Sequence, residues 1–357
     1  MKIFSISLDK NLANKHSSVA KRVIEYGNIV DRYDIANLSD NNDILDLSDK
    51  VRVYSVNKEN KFFSFLNLYK KCVEILKFDK YNLITIQDIY FVGFLGFLLA
   101  KRFKIGLEIQ VHGFEKYYGL RRIIAKYVLP RANSVRCVSQ RLKKQLIKEF
   151  NVKEEKITIA PIFVPLNSTR RDDYINKKDK FIFLTVGRLV LVKNIGMQIE
   201  AMEEVVKKYP NIELWIIGDG PEKNNYESQI KNYDLEKNVK LLYWKDKLNR
   251  YYEQADAFLL TSNAEGWGMV VIEAASFGLP IIMTDVGCAG EVIKNNESGL
   301  VTPVGDKQRL VEAMLKIIED ENLRKKLGEN AKLAVSQLPN KEQILELYKK
   351  SWRKAIL

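Results

Sequence analysis

Two glutamates with seven residues between them, Glu265 and Glu273, mark the stretch of this 357-residue chain whose residue types are best assembled for chemistry. Apolar Ala257-Phe258-Leu259-Leu260 reads as a buried parallel strand that stops at Thr261. Gly266 and Gly268 then permit a tight loop, and the good helix formers of 269–276 predict a helix with Val270, Val271 and Ala274 on one face. A helix start behind glycines is an anion site: a phosphate can approach the backbone, and the unpaired first-turn amides, those of Met269 and Val270 among them, favour negative charge. A bare carboxylate beside a phosphate would repel it. Glu265 and Glu273 are therefore expected to accept hydrogen bonds from sugar hydroxyls on either side of that phosphate. The ligand so described is a nucleotide-diphosphate sugar.

Other residues of the right type lie where strands end. Val186-Gly187-Arg188-Leu189 closes a predicted strand and Lys193-Asn194 opens a helix, so both cations leave the carboxyl edge of a sheet, the ligand side of such folds. Arg188 offers a planar fork of donors and Lys193 a compact ammonium, suited together to a departing diphosphate. Trp215-Ile-Ile-Gly218-Asp-Gly-Pro221 runs from strand into turn, with Gly218 either structural or close to a ligand. Trp244, ending the next strand, is placed to stack a nucleobase or simply to pack. His112 is delivered by the strand 107–111 ahead of Gly113, and an ordinary imidazole pKa of about 6.5 suits a proton shuttle or hydroxyl partner.

Together with Pro280, Asp285 and Glu291, the spacing of Glu265 and Glu273 resembles the signature of the retaining GT-B glycosyltransferases of family 4. The resemblance implies an α/β protein of two Rossmann-like, doubly wound domains facing across a cleft. It implies that Glu273 holds the ribose hydroxyls, that Glu265 faces the transferred sugar beside His112, and that Arg188 and Lys193 neutralise the diphosphate. Gly187, Gly218, Gly266, Gly268, Met269 and Val270 would border the donor, and Trp244 falls in the base-binding region. Transfer would proceed with retention: the acceptor hydroxyl attacks on the face of the leaving phosphate, a phosphate oxygen takes the proton, and no protein nucleophile is needed. Two departures stand out. Ser7-Leu8-Asp9-Lys10-Asn11 has no glycine where many members have a Gly-Gly loop, and Asp285-Val-Gly-Cys-Ala-Gly-Glu291 varies a second Gly-Gly pair. There is no Asp-x-Asp triplet and the two histidines are far apart, so neither a metal nor any cofactor beyond the sugar donor is implied.

The elements that must position these residues repeat in two series. Strand-like runs at 3–8, 51–55, 82–86, 107–112, 134–138 and 157–162 alternate with helical stretches at 14–26, 61–79, 89–103, 117–130 and 139–149, the pattern of a parallel sheet with helices on both faces. A polar break at 167–179 suits a linker, and a second strand–helix series follows it. The expected division is an acceptor domain over 1–166, with a final helix in 341–357 packing back on it, and a donor domain over 167–340.

Charge is lopsided. Residues 1–175 hold 31 Lys and Arg against 19 Asp and Glu, while 176–357 hold 27 against 26. Residues 101–148 alone have 13 cations against Glu108 and Glu115, which points to an anionic partner. A basic amphipathic helix at 116–130, with Lys116, Arg121, Arg122 and Lys126, is expected to rest on an anionic inner-leaflet surface and meet a lipid-linked or glycan acceptor there. The competing expectation is that Ile123, Ile124, Tyr127 and Val128 pack into the core. Three scattered cysteines support neither disulfides nor a zinc site and suit a reducing cytoplasm. The longest uncharged apolar run, 89–100, falls short of the roughly 20 residues that cross a bilayer. A sugar-nucleotide epimerase of the same fold and a basic nucleic-acid-binding protein are the alternatives; the second lacks any recognised binding motif, so no nucleic-acid partner is expected.

Overall fold

The computed structural model describes residues 1–113, 118–166, 180–243 and 248–356. They form two units, Met1–Pro161 with Pro339–Leu357, and Ile162–Leu338. The first unit runs β1 (Lys2–Ser7), α1 (Ser18–Asn28), β2 (Arg32–Ser39), β3 (Ile44–Ser48), β4 (Val51–Asn57), α2 (Lys61–Phe78), β5 (Leu83–Ile86), α3 (Phe91–Phe103), β6 (Gly106–Val111), α4 (Leu120–Val128), β7 (Ser134–Cys137), α5 (Gln140–Phe150) and β8 (Ile157–Ile159). Its sheet has the order β3-β4-β2-β1-β5-β6-β7-β8.

Two strands of that sheet escape the sequence reading, which runs directly from a helix ending at 26 to a strand starting at 51. β2 is buried and parallel to β1 and β4. Its apolar run is broken by Asp34 and Asn37, polar residues that pass for a loop until Asp34 is seen to accept a 2.6 Å hydrogen bond from Tyr81 and to pair with Arg32 at 2.8 Å. β3 is an edge strand antiparallel to β4, so the expected all-parallel sheet is mixed. Helix starts also move. α1 begins behind the Ser17 cap rather than at 14, and the helix expected at 116–130 is described only as α4.

The second unit contains β9 (Phe181–Val186), α6 (Ile195–Lys208), β10 (Ile212–Ile217), α7 (Lys223–Asn232), β11 (Val239–Leu242), α8 (Asn249–Gln254), β12 (Ala257–Leu260), α9 (Met269–Ser276), β13 (Ile281–Thr284), β14 (Leu300–Thr302), α10 (Lys307–Glu319) and α11 (Glu321–Ser336). All its strand pairings are parallel, in the order β11-β10-β9-β12-β13-β14. The order reverses between β9 and β12, which makes their carboxyl ends the topological switch point where open α/β sheets bind ligands.

The chain then returns to the first unit as α12 (Lys341–Ala355), started by a capping box between Asn340 and Gln343. Ile344, Tyr348, Ser351, Trp352 and Ala355 form its buried stripe against β6, β7 and β8. That packing encloses a charge. Glu108 on β6 is fully buried, accepts a 2.9 Å hydrogen bond from Arg136 of β7 and a 2.8 Å bond from the Ser351 hydroxyl, and is also bonded by Thr85. The Arg136 guanidinium lies 3.5 Å from the centre of the Tyr348 ring. Tyr348, Trp352, Tyr26 and Tyr33 complete an aromatic group around it.

Removing one partner of a buried pair leaves an uncompensated charge. Arg136→Met is expected to cost the first unit about 3–5 kcal/mol, and adding Glu108→Gln, which removes the stranded charge and keeps one of the two acceptor oxygens that Ser351 and Thr85 use, to restore part of that. Hydrogen exchange of the β6 and β7 amides measures both. No recovery in the double variant would mean that packing, rather than the stranded charge, sets the cost.

Candidate active site

The loops after β9 and β12 meet at the switch point. Beyond β9 the chain passes Gly187 and an exposed Arg188, then a short turn at Leu191–Lys193, with Asn194 in the left-handed region at φ 48° before α6. Beyond β12 it passes Thr261, Ser262 and Glu265. A chain of side chains ties the two together: Thr185 donates to Gln198 at 2.6 Å, Gln198 to Thr261 at 2.8 Å, and Thr261 to the carbonyls of Lys193 and Asn194. The backbone adds a 2.7 Å bond from Asn263 N to Val192 O. So held, the Lys193 ammonium bonds Glu265 Oε1, which also accepts from Ser262 at 2.7 Å. These side chains keep only 19% and 13% of their exposure, enough withdrawal from water to make the pair matter more than a surface one.

Past Glu265, Gly266 and Trp267 are buried, and Gly268 caps α9 at φ +92°, a conformation few other residues adopt. The first-turn amides of Met269 and Val270 have no carbonyl one turn back inside the helix. Val271, Ile272, Ala274 and Ala275 face the core. Val270 does not join Val271 there, as the sequence reading expects; it lies half-buried on the open face with exposed Met269 and half-buried Glu273, spaced i−4, i−3 and i. The loop is braced from below by Gly287, φ +57°, where a Cβ would come within 2.6 Å of the Trp267 carbonyl oxygen, and by Cys288 N donating to that oxygen at 2.9 Å.

Glu273 accepts a 2.8 Å hydrogen bond from the buried Tyr252 of α8, whose ring stacks on Phe277 at 5.2 Å and 19°. Burial raises the Glu273 pKa above the ordinary carboxylate value, and the Tyr252 hydrogen bond opposes that rise. Burial and the neighbouring Glu273 charge push the Tyr252 phenol upward, so it stays a donor. Packing requires a glycine at 218: a Cβ there would lie 1.9 Å from the Gly187 carbonyl oxygen. Trp244 and Lys116 lie outside the described residues.

In the first unit, His112 follows β6 with an accessible ring, although its surroundings are crowded. Desolvation, then the positive charge of Arg136 and Arg22, lowers its pKa to about 4. A neutral imidazole at pH 7 suits the hydroxyl-partner role expected for it. On α4, Arg122 is committed to the fold, paired with Glu149 at 2.7 Å, while Arg121 and Lys126 are exposed. Ile123 and Tyr127 are exposed too, and the helix buries Ala125 and Val128.

Sequence reasoning passes over Tyr252, Ser262, Thr261 and Gln198. Only proximity in the fold joins them to the glutamates, and no spacing announces it.

Two α/β units, each built on a mainly parallel sheet, have the make-up of a GT-B fold. Residues 167–334 match the family model for glycosyl transferases group 1, and residues 36–168 that for glycosyltransferase family 4. The chain belongs to this family of glycosyltransferases. It is 29% identical over 243 residues to a capsular polysaccharide biosynthesis glycosyltransferase, CapM, of Staphylococcus aureus, covering 64% of this chain and 63% of that protein. It is 26% identical over 284 residues to the UDP-Gal:α-D-GlcNAc-diphosphoundecaprenol α-1,3-galactosyltransferase of Escherichia coli, covering 73% and 71%. The structure of Anabaena HepE in complex with UDP superposes with a TM-score of 0.78 over 99% of this chain and 100% of that one, at 18% identity.

Because folding raises the Glu273 pKa, the folded state binds more protons than the unfolded one above about pH 4.3, and stability falls as pH climbs from there through the raised value. Tyr252→Phe removes the bond that favours the charged form. It is expected to cost roughly 1–2 kcal/mol at pH 8 and less at pH 4. Urea denaturation at both pH values, repeated with Glu273→Gln, checks this; an equal loss at both would make Tyr252 a packing residue only.

Proposed function

We propose that this protein is a retaining glycosyltransferase that moves a sugar from a UDP- or GDP-sugar to a lipid-linked or glycan acceptor in the synthesis of a cell-surface polysaccharide or glycoconjugate. The observation that carries the reading is the convergence of Arg188, the Lys193–Glu265 pair, the α9 start and Glu273 at one switch point. In this reading the ribose hydroxyls donate to Glu273, and the diphosphate lies on the amides after Gly268 with Lys193 and Arg188 as its cations. Glu265 orients the transferred sugar through its hydroxyls. Charge gathers on the phosphate as the glycosidic bond breaks, and the two cations act there. The acceptor hydroxyl forms the new bond on the face being vacated and passes its proton to the leaving phosphate oxygen, so anomeric configuration is kept without a protein nucleophile or a bound metal. His112, neutral at pH 7, serves as a hydrogen-bond partner to a sugar hydroxyl.

The first unit is the acceptor domain in this reading, and the second the donor domain. The UDP in the HepE structure and the lipid diphosphate in the name of the Escherichia coli relative support these choices of donor and acceptor. The exposed cations of α4 support an anionic inner-leaflet surface as the meeting place. Among the described residues no helix is long and apolar enough to cross a membrane.

A panel of nucleoside diphosphates and their sugars, read by thermal unfolding, tests the donor. A ligand at a hundred times its Kd adds about 2.7 kcal/mol. UDP or GDP is expected to raise the melting temperature, and Glu273→Ala to weaken that binding by about 1–3 kcal/mol. No shift with any nucleoside diphosphate would sink the reading, and turnover of the sugar without acceptor would point to an epimerase. Arg188→Ala and Lys193→Ala are expected to lower kcat more than donor affinity, since their partner's charge grows in the transition state. Steady-state kinetics showing equal losses in affinity with kcat intact would assign these cations to ground-state binding.

A further inference from the structure

Helices α2, α3, α4 and α5 lie side by side over one face of the first sheet. α2, α3 and α4 follow the parallel strands β4, β5 and β6, so all three begin at the carboxyl edge, the edge that carries His112. Large apolar side chains collect at these starts and stay uncovered. Phe62 and Phe63, two of the first three residues of α2, are 68% and 49% exposed, and Leu120 and Ile123 of α4 are 60% and 66% exposed. Ring contacts link the three helices: Phe65 meets Phe91 at 5.4 Å, the Arg121 guanidinium lies 5.1 Å from the Tyr90 ring centre, and Phe97 meets Tyr127 at 5.5 Å. Phe62 and Phe63 also meet each other at 5.8 Å, so the uncovered residues sit as two apolar pairs at the starts of helices that these contacts hold together.

Charge selects what covers them. Between 101 and 148 the two acids are Glu108 and Glu115. Glu108 is buried on Arg136, so no described residue of that segment offers a carboxylate to the surface, whereas Arg121, Lys126 and Arg131 are exposed. A surface that is anionic at its face and apolar just beneath it matches both features.

We propose that this rim inserts into an anionic phospholipid bilayer, with Phe62 and Phe63 as one apolar anchor, Leu120 and Ile123 as a second, and Arg121 and Lys126 against the headgroups. The inference deepens the reading of the first unit as an acceptor domain at a membrane: it makes the attachment hydrophobic as well as electrostatic and gives it two points. The Phe62–Phe63 point lies outside the basic segment altogether. Anchoring at the edge that carries His112 would present a lipid-linked acceptor to that edge directly.

Salt separates the two contributions. Exposed charges are screened within about 8 Å at physiological ionic strength, whereas apolar insertion is not weakened by salt. Flotation of the full chain with phosphatidylglycerol–phosphatidylethanolamine vesicles, and with phosphatidylcholine vesicles, at low and at molar salt tests the proposal. The native chain is expected to prefer the anionic vesicles at low salt and to keep a measurable part of that binding at high salt. Phe62→Ser/Phe63→Ser, and separately Leu120→Ser/Ile123→Ser, are expected to reduce the salt-resistant part about tenfold or more, since two large side chains lose insertion in each. Arg121→Glu/Lys126→Glu is expected to reduce the low-salt part.

Complete release of the native chain by salt overturns the proposal, as does salt-resistant binding unchanged in both serine variants. No vesicle binding, with a concentration-dependent dimer that the serine substitutions dissolve in analytical ultracentrifugation, overturns it in favour of an interface between copies. Circular dichroism melting checks that each variant is folded. Nucleoside diphosphate binding is a property of the second unit and is expected to match the native chain in every variant. Failure of the native chain to bind any nucleoside diphosphate would sink the donor assignment and leave the vesicle result standing.

Discussion

The ion pair between Lys193 and Glu265 joins two loops that the sequence separates by 71 residues, and the second unit is arranged to let it form. Its loops leave β9 and β12, neighbours in the sheet on either side of the reversal in strand order. An ordinary loop would leave these side chains solvated and loosely placed. Here Thr185, Gln198 and Thr261 relay hydrogen bonds from the floor of the sheet to the carbonyls of Lys193 and Asn194, so the backbone that carries the lysine is fixed by buried polar contacts. The glutamate is fixed from the opposite side by Ser262 and by the close approach of Gly287 beneath Trp267. A side chain on Gly287 would collide with the Trp267 carbonyl oxygen at 2.6 Å and crowd Glu265 Cβ at 3.0 Å.

The first unit solves a related problem for a different purpose. Glu108 and Arg136 are both buried in the sheet and are held by one another, by Ser351 and by the Tyr348 face, with Arg136 Nη2 left without a hydrogen-bond partner among the described residues. Burying two charges stabilises little in itself, because desolvation offsets most of their attraction. What such a pair supplies is selectivity: Ser351 and Tyr348 meet their partners only when α12 lies in one register, after the chain has passed through the whole second unit. Gly106, where a Cβ would clash with the Ala355 carbonyl at 1.8 Å, marks the far end of the same fit.

Much of this was legible in the sequence, and the failures have physical causes. The second sheet could be read strand by strand because most of its strands are short apolar runs buried on both faces, such as Phe181–Val186 and Ala257–Leu260. β2 could not, because a strand that hides Asp34 beside Tyr81 has the composition of a turn. The glutamates, the glycines and the two cations could be picked out as candidates by type and position, and the structure brings Lys193 onto Glu265. Tyr252 did not: it reaches Glu273 from a six-residue helix whose link to α9 exists only in three dimensions. On α4 the sequence left two expectations open, an apolar face on a membrane or packed into the core; Ile123 and Tyr127 are exposed while Ala125 and Val128 pack inward, and Arg122, expected among the surface cations, pairs with Glu149. Hydrophobicity ranks what would gain from burial, while the packing distance between helices decides what is buried.

That distinction also resolves a tension in the donor loop. A carboxylate beside an expected diphosphate ought to repel it, and Glu265 stands next to the helix start that would hold one. Its negative charge is already matched by Lys193, so the pair presents little net charge and leaves the α9 amides and Arg188 to set the local field. An arriving phosphate can share the ammonium, which has three donors, while Glu265 keeps the Ser262 bond and a second oxygen for a sugar hydroxyl. Glu273 avoids repulsion by other means: burial raises its pKa, and its one described donor, Tyr252, is neutral, so a hydroxyl from the ligand improves its solvation instead of competing with a salt bridge. Two carboxylates eight positions apart are thus prepared in opposite ways, one neutralised by a cation and one left short of donors, and on the function proposed above the second has most to gain from a ribose hydroxyl.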